Sequence, residues 1–351
     1  MEDLLRGWDG EFVAMRFDRP TGSWMFVGLH STALGPGFGG TRMKVYRAPE
    51  DALRDVLRLS SAMTFKNAMA DIPFGGGKSV LAVPYVPTGP ARKDLMLRYA
   101  DLIASLGGSY VTACDMNTAS QDMDIVSERC PYVMGTTLEH GGSGTSAPDT
   151  AIGVFHGIRA SLANAFGSDD PSGRTIVVEG AGAVGGPLTD LLATAGAKIV
   201  VADIDAERAD AVADRVGAHV VDPSAVFDTP CDVFSPCATG AVMNAETIPR
   251  LRCRVVAGAA NNQLATPEDA DRLASAGILY SPDFVVNAGG VLHLAGYERL
   301  GWTSEQMSAR LTGIGDTLRA VFEAAEREGV TPEAAARGLA LRRIAARQAK
   351  D

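Results

Sequence analysis

At 351 residues the chain is too long for one ordinary hydrophobic core, which predicts two domains. Hydrophobic residues at 46% and charged residues at 21% fit a folded globular protein, and a formal net charge of -10 offers no basic face to neutralise phosphates, so a nucleic-acid partner is excluded. Five scattered cysteines with no CxxC pair, no signal-peptide pattern and no apolar run near the roughly 18 residues of a membrane span predict a reduced, cytoplasmic protein with neither structural metal nor membrane partner.

Residues 11–17 and 24–30 read as antiparallel strands around the turn Pro20-Thr21-Gly22-Ser23. Gly35 to Gly40 reads as a glycine-rich loop. Pro49 then opens a helix whose Ala52, Leu53, Val56, Leu57, Ser60 and Met63 share one face. It carries Lys66 in its last turns and ends before Pro73. Strands near 78–83 and 109–113, with a helix over 93–106, complete a first α/β domain, 1–140. The run His140-Gly141-Gly142-Ser143-Gly144 reads as the linker.

A helix over 147–166 begins the second domain, 147–300. Short apolar strands (TIVVE, KIVVA, HVV, DVFSP, VVAG, ILY) then alternate with helices, the pattern of a doubly wound parallel sheet covered on both faces. Two helices close the chain over 301–351. Thr303 caps the first, Thr331-Pro332-Glu333 starts the second, and the pair is expected to pack at least partly back on the first domain.

Gly180-Ala181-Gly182-Ala183-Val184-Gly185 matches G-x-G-x-x-G. The pattern alone is common. Here it follows a strand, opens a helix and precedes a second strand ending in Asp203, the setting in which glycines admit a pyrophosphate to a helix N-terminus. Asp203 is placed to bond the adenosine ribose. With Asp205 and Glu207 beside it, a 2′-phosphate would be repelled, so NAD is favoured over NADP. Asp205 and Glu207 can equally be serving the next helix start.

The segment from Lys66 to Ser79 contains Gly75-Gly76-Gly77-Lys78-Ser79. The end imitates a phosphate-binding P-loop, but Ile72 stands where that motif needs its first glycine, and a helix precedes it rather than a strand. Three glycines before a lysine suggest instead a backbone packed tightly around a ligand, with Lys78 directed into it. Asp115, at the end of the strand 109–113, is by itself better explained as a helix cap or turn residue than as a catalyst.

Gly39-Gly40-Thr41-Arg42, the Lys66–Lys78 segment, Asp115-Met116-Asn117-Thr118, Gly142-Ser143-Gly144, Thr150-Ala151 and Ala260-Asn261-Asn262-Gln263 occur in this order. Together they resemble the glutamate/leucine/phenylalanine/valine dehydrogenase family, most nearly its actinobacterial phenylalanine-specific members, from about Gly35 to Gly290. The resemblance implies a mixed-sheet substrate domain and a Rossmann-type domain with a cleft between them. It implies NAD-dependent interconversion of an L-amino acid with its 2-oxo acid and ammonia, in a homo-oligomer. Lys66, Gly39, Gly40 and Asn262 would then hold the substrate carboxylate. Lys78 would be the general base, and Asp115 would exchange a proton with the amine. Thr150, Gly258, Ala259 and Ala260 would meet the nicotinamide end of NAD, with Gly180, Gly182, Ala183, Val184, Gly185 and Asp203 holding the rest.

Burial in a glycine-walled site beside a second cation, Lys66, would lower the Lys78 pKa enough to make it a base near neutral pH. Glutamate-specific members carry a lysine where this chain has Phe38, so the resemblance implies an apolar side chain, lined by Phe38, Ala113, Val291 and Leu294. Phenylalanine is expected first, with leucine or valine as the alternatives. Two other classes compete: a pyridoxal phosphate enzyme using Lys78, which the dinucleotide fingerprint opposes, and a non-catalytic NAD sensor, which the retention of Lys66, Lys78, Asp115 and Asn262 opposes.

Overall fold

Five strands, β1 (Phe12–Asp18), β2 (Ser23–Ser31), β3 (Gly37–Lys44), β4 (Gly75–Ala82) and β5 (Tyr110–Cys114), pair in the order β1-β2-β4-β3-β5 in the computed structural model, which describes residues 2–349. β1 and β2, and β2 and β4, run antiparallel, while β3 lies parallel to both β4 and β5. After a short α1 (Glu2–Arg6), the crossover helices α2 (Pro49–Met69) and α3 (Gly89–Ala104) cover opposite faces. Leu53, Val56 and Leu57 of α2 bury Phe26 and Val80; Leu95, Met96, Tyr99 and Ile103 of α3 bury Met25, Val27 and Leu81. Met123 and Val126 of α4 (Ser120–Ser127) join the α3 side. Both faces of the sheet are thus apolar, and a polar side chain on either needs a partner.

Gly35 to Gly40, expected as a loop, is in large part strand. β3 begins at Gly37, and its glycines let three strands approach closely. A Cβ at Gly39 would collide with the Gly77 carbonyl, and one at Gly40 with the Cys114 carbonyl. Local composition favours a loop, and the neighbours on each side decide for a strand.

The second sheet is wholly parallel. β6 (Thr175–Glu179), β7 (Lys198–Ala202), β8 (His219–Val220), β9 (Val233–Pro236), β10 (Val255–Val256) and β11 (Leu279–Tyr280) take the order β11-β10-β9-β6-β7-β8. The chain direction across the sheet reverses between β6 and β9, the switch point at which such sheets bind ligands. Around it lie α5 (Ala147–Phe166), α6 (Gly185–Thr194), α7 (Ala206–Val216), α8 (Asp269–Ser275), α9 (Asp283–Val286), α10 (Gly289–Ala295) and α11 (Ser304–Glu328). As expected, Thr303 caps α11, its hydroxyl accepting from Gln306 N at 3.3 Å while Gln306 accepts from Thr303 N at 2.9 Å.

The two units differ from the sequence-based boundaries. One holds the chain up to Thr145, Leu294–Gly301 and the chain from Ala340; the other holds Ser146–His293 and Trp302–Leu339. The block 301–351 therefore divides, because the buried stripe of α11 (Met307, Leu311, Ile314, Leu318) belongs with α5. Only within α12 (Pro332–Gln348) does the chain rejoin the first unit, where Arg343 donates to the Ala68 and Met69 carbonyls at 2.9 Å each, capping the end of α2. No helix among the described residues is long and apolar enough to cross a membrane.

Candidate active site

Strand alternation sends neighbouring residues of β3, β4 and β5 to opposite faces. Ser79 joins Thr41, Tyr99, Tyr110 and Thr112 in a buried hydroxyl cluster. Thr41 Oγ1 lies 2.8 Å from Ser79 Oγ and 2.6 Å from the Tyr99 hydroxyl, and Tyr110 donates to the Gly39 carbonyl at 2.6 Å. Lys78, one residue earlier, therefore points to the α2 side. It pairs in register with Gly28, where an added Cβ would sit 3.0 Å from Ser60 Oγ of α2. The hydroxyls latch three strands from behind.

Lys78 is only 6% exposed, and its Nζ lies 3.2 Å from Asp115 Oδ1. Arg42 Nε donates to the other oxygen of Asp115 at 3.0 Å, and Arg42 Nη1 to Asp55 Oδ2 at 3.1 Å. Asp55 also accepts from the Tyr46 hydroxyl at 2.7 Å and from Arg58 at 2.9 Å. Burial lowers the Lys78 pKa from the ordinary lysine range; Asp115 opposes this, and Arg42 adds to it. Burial would raise the Asp115 carboxyl, but Lys78 and Arg42 outweigh it and hold the group at about 2. The loop after β5 is tied to β3. Asp115 N donates to Thr118 Oγ1 at 2.9 Å, Thr118 Oγ1 donates to the Thr41 carbonyl at 2.7 Å, and Asn117, at φ 58°, donates to the Met43 carbonyl at 3.0 Å.

Lys66 stands half-buried in the last turns of α2. Phe38 is fully buried and packs its ring 5.4 Å from that of Phe74. Ala113 and Leu294 come together at Gly135, whose φ is 76°. A carbon added there would lie 3.7 Å from Leu294 Cδ2, 3.8 Å from Cys114 Sγ and 3.9 Å from Ala113 Cβ. Val291 precedes Leu294 by three residues on α10, so the two share a face. Glu298 accepts from Gly135 N at 2.8 Å and from Ser143 N at 3.0 Å. Arg42, Asp55, Gly135 and Glu298 carry no assigned role in the sequence reading. Arg42 could have been flagged, as a cation two residues after Gly40; nothing local distinguishes Glu298 in GYERL.

In the second unit, Gly180 has φ 101°, and a Cβ on it would meet Ala238 at 2.8 Å. A Cβ on Gly185 would collide with the Gly180 carbonyl, whereas one on Gly182 would meet no protein atom within 4 Å. The first and last glycines close the turn, and the middle one keeps clear the approach to the N-terminus of α6, which Ala183 and Val184 lead into. That is a fit to a pyrophosphate. Asp203 Oδ2 accepts from Ala181 N at 2.8 Å, and Arg208 Nη1 lies 3.7 Å away. Asp205 caps α7, accepting from Arg208 N at 3.3 Å.

The loop carrying Gly258, Ala259, Ala260 and Asn262 is braced from beneath. Gln263 donates to the carbonyls of Gly258 and Ala260 at 2.9 and 3.0 Å, and Asn287 to that of Ala259 at 3.1 Å. Asn262 itself has φ 53°. Thr150 Oγ1 donates to the Ser146 carbonyl at 2.9 Å, and an added Cβ on Gly290 would come within 3.2 Å of it. Beside Thr150, Asp149 Oδ2 lies 2.7 Å from His293 Nδ1.

Known proteins resemble this chain in sequence and fold. Residues 16–132 match the family profile described as Glu/Leu/Phe/Val dehydrogenase, dimerisation domain, and residues 201–351 that described as Glutamate/Leucine/Phenylalanine/Valine dehydrogenase. A leucine dehydrogenase of Thermoactinomyces intermedius is 41% identical over 97% of this chain and 93% of its own length. A valine dehydrogenase of Streptomyces virginiae is 42% identical over 95% and 93%. The crystal structure of L-tryptophan dehydrogenase from Nostoc punctiforme superposes with a TM-score of 0.85 at 37% identity, covering 99% of both chains. The chain belongs to the Glu/Leu/Phe/Val dehydrogenase family, and its activity is that of an amino acid dehydrogenase.

Proposed function

We propose that the protein catalyses reversible oxidative deamination of an apolar L-amino acid, L-phenylalanine first, to its 2-oxo acid and ammonia. The observation that carries this reading is the pairing of buried Lys78 with half-buried Asp115, with Arg42 on the carboxylate's other oxygen. NAD is the cofactor, and when bound it accepts the hydride from the substrate Cα. The turn at Gly180, Gly182, Ala183, Val184 and Gly185, with Asp203, would hold its adenosine and pyrophosphate; Thr150 and Gly258–Ala260 would hold the nicotinamide end.

The rest of the work falls to this chain's side chains. Lys66 and Asn262, with the backbone at Gly39 and Gly40, bind the α-carboxylate. Asp115 enters as a carboxylate and takes a proton from the substrate ammonium. Loss of hydride leaves an iminium. Lys78, its pKa lowered by burial and by Arg42, removes a proton from the water that adds to Cα. Protonated Asp115 then returns its proton to the amino nitrogen of the carbinolamine, and ammonia leaves as the carbinolamine hydroxyl gives its proton to solvent and becomes the 2-oxo group. Hydroxide-like attack at neutral pH needs a base of this kind.

For the side chain, Ala113, Gly135 and Leu294 meet as small or apolar groups with no cation among them, so a glutamate side chain placed against them would lose several kcal/mol of hydration unreturned. A second reading, leucine or valine, is favoured by the names of relatives at 41% and 42% identity. The test is kcat/KM for L-phenylalanine, L-leucine, L-valine and L-glutamate with NAD under one set of conditions. Phenylalanine leading is the expected result. Leucine or valine leading would replace the substrate and keep the mechanism; glutamate leading would overturn the pocket. The dimerisation-domain profile supports a homo-oligomer, which sedimentation analysis would test.

A further inference from the structure

Asp55 serves two places. It pairs with Arg42, which holds Asp115, and it also lines a cavity of about 480 Å³ in the first unit with Lys44, Tyr46, Arg47, Arg54 and Arg58. That volume falls within the roughly 300–1,000 Å³ of small-ligand sites. Four cationic side chains face two carboxylates there, Asp51 and Asp55, and Asp55 is already matched by Arg42 and Arg58. Arg47 and Arg54 have no ion-pair partner among the described residues. In a chain of net charge -10, cations gathered on one cavity repel one another, and a bound anion relieves that repulsion. Guanidinium forks suit the oxygens of a phosphoryl group.

We propose that this cavity binds a phosphate-class anion, and that its occupancy reaches Lys78 through Arg58, Asp55, Arg42 and Asp115. Each link is a direct contact: Arg58 to Asp55 at 2.9 Å, Asp55 to Arg42 at 3.1 Å, Arg42 to Asp115 at 3.0 Å, and Asp115 to Lys78 at 3.2 Å. An anion that draws Arg58 away leaves Asp55 to grip Arg42 more tightly. Arg42 then slackens on Asp115, whose charge falls more fully on Lys78. The groups facing Lys78 are Asp115 and Cys114 from the end of β5, Arg42 from β3 and Asp55 from α2. The added negative charge acts in the same direction, so the ammonium form is favoured and the base becomes available only at higher pH. This coupling rests on Lys78 being the base; the anion site itself does not.

Calorimetric titration of the full chain with inorganic pyrophosphate, at ionic strength held constant with potassium chloride, tests the site. One saturable site per chain is expected, weakened at least about tenfold in the double variant Arg47→Ala/Arg54→Ala. No saturable binding, or equal binding by the double variant, overturns the proposal. A nucleoside diphosphate titrated in parallel separates sources: tighter binding than pyrophosphate assigns a nucleotide, equal or weaker binding a free phosphate anion. Pyrophosphate at a concentration that fills the wild-type site and leaves the double variant largely empty should also move the rising limb of the kcat/KM–pH profile upward by at least about half a pH unit in wild type and not in the double variant. Binding without that movement overturns the coupling. Absence of amino-acid-dependent NADH formation in chloride alone would strike the catalytic reading instead.

Discussion

Lys78 and Arg42 hold opposite oxygens of one carboxylate, at 3.2 Å and 3.0 Å from Asp115. Arg42 is shared with Asp55, yet burial and the guanidinium both disfavour a charged ammonium at Lys78. Arginine does not give up its proton in proteins, so the pressure to deprotonate falls on Lys78.

Replacing Lys78 by alanine should lower kcat by at least about 100-fold, the usual scale for a positioned acid–base group. NADH binding, followed by fluorescence, should stay near wild type because the fingerprint lies in the other unit. Retained turnover would remove Lys78 from the mechanism.

Arg42→Gln should shift the rising limb of the kcat/KM–pH profile to higher pH, since a cation that disfavours the Lys78 ammonium is lost. Asp115 supplies the opposite check, on stability. Its folded value of about 2 lies below the ordinary 3.8, so its stabilising contribution is present above 3.8 and is lost as pH falls through 2. Asp115→Asn should therefore lose up to about 2 kcal/mol at pH 7 and little at pH 2, measured by urea unfolding.

Glu179 ends β6 with its Oε2 buried and without a hydrogen-bond partner. Burial raises its carboxyl to about 7, with Asp203 adding to the shift. A raised acid contributes stability that is fully present below the unfolded value of 4.5 and is lost as pH rises through 7. Glu179→Gln should accordingly raise Tm more at pH 8 than at pH 5. A uniform shift would refute this account.

Asp203→Ser should weaken NAD and narrow the gap to NADP, through loss of a ribose partner and of a repulsive charge. The Ala181 amide also loses its acceptor, so KM for both cofactors should carry a shared penalty of about tenfold. Comparison of the two KM values separates the shared part from the selective part.

Lys66→Ala should raise KM for the amino acid with a smaller effect on kcat, because a carboxylate is present in both ground and transition states. An unchanged KM would argue against that role.

Much of this was legible in the linear chain. The apolar runs from TIVVE to ILY and the glycine spacing at 180–185 point to a parallel sheet and its dinucleotide turn, because each shows itself as a pattern within a short stretch of chain even though the strand pairings it leads to are distant. The helix from Pro49, its Lys66, and the cap at Thr303 are local in the same sense. The glycines of 35–40 were not legible as strand, since their reason lies across the sheet at Gly77 and Cys114.

By itself, then, the sequence determined which residue types were available, the order of elements, and the family to which the motifs belong. Only the tertiary structure decided that Arg42 shares Asp115 with Lys78, that Asp55 links this group to a cationic cavity, and that Glu298 reaches back to Gly135 and Ser143. It also decided that Phe38 is buried against Phe74 and that α12 returns to cap α2. These are pairings between residues from 13 to 275 positions apart. No local periodicity encodes them; they are set by which faces must be buried together once both sides of a sheet are covered.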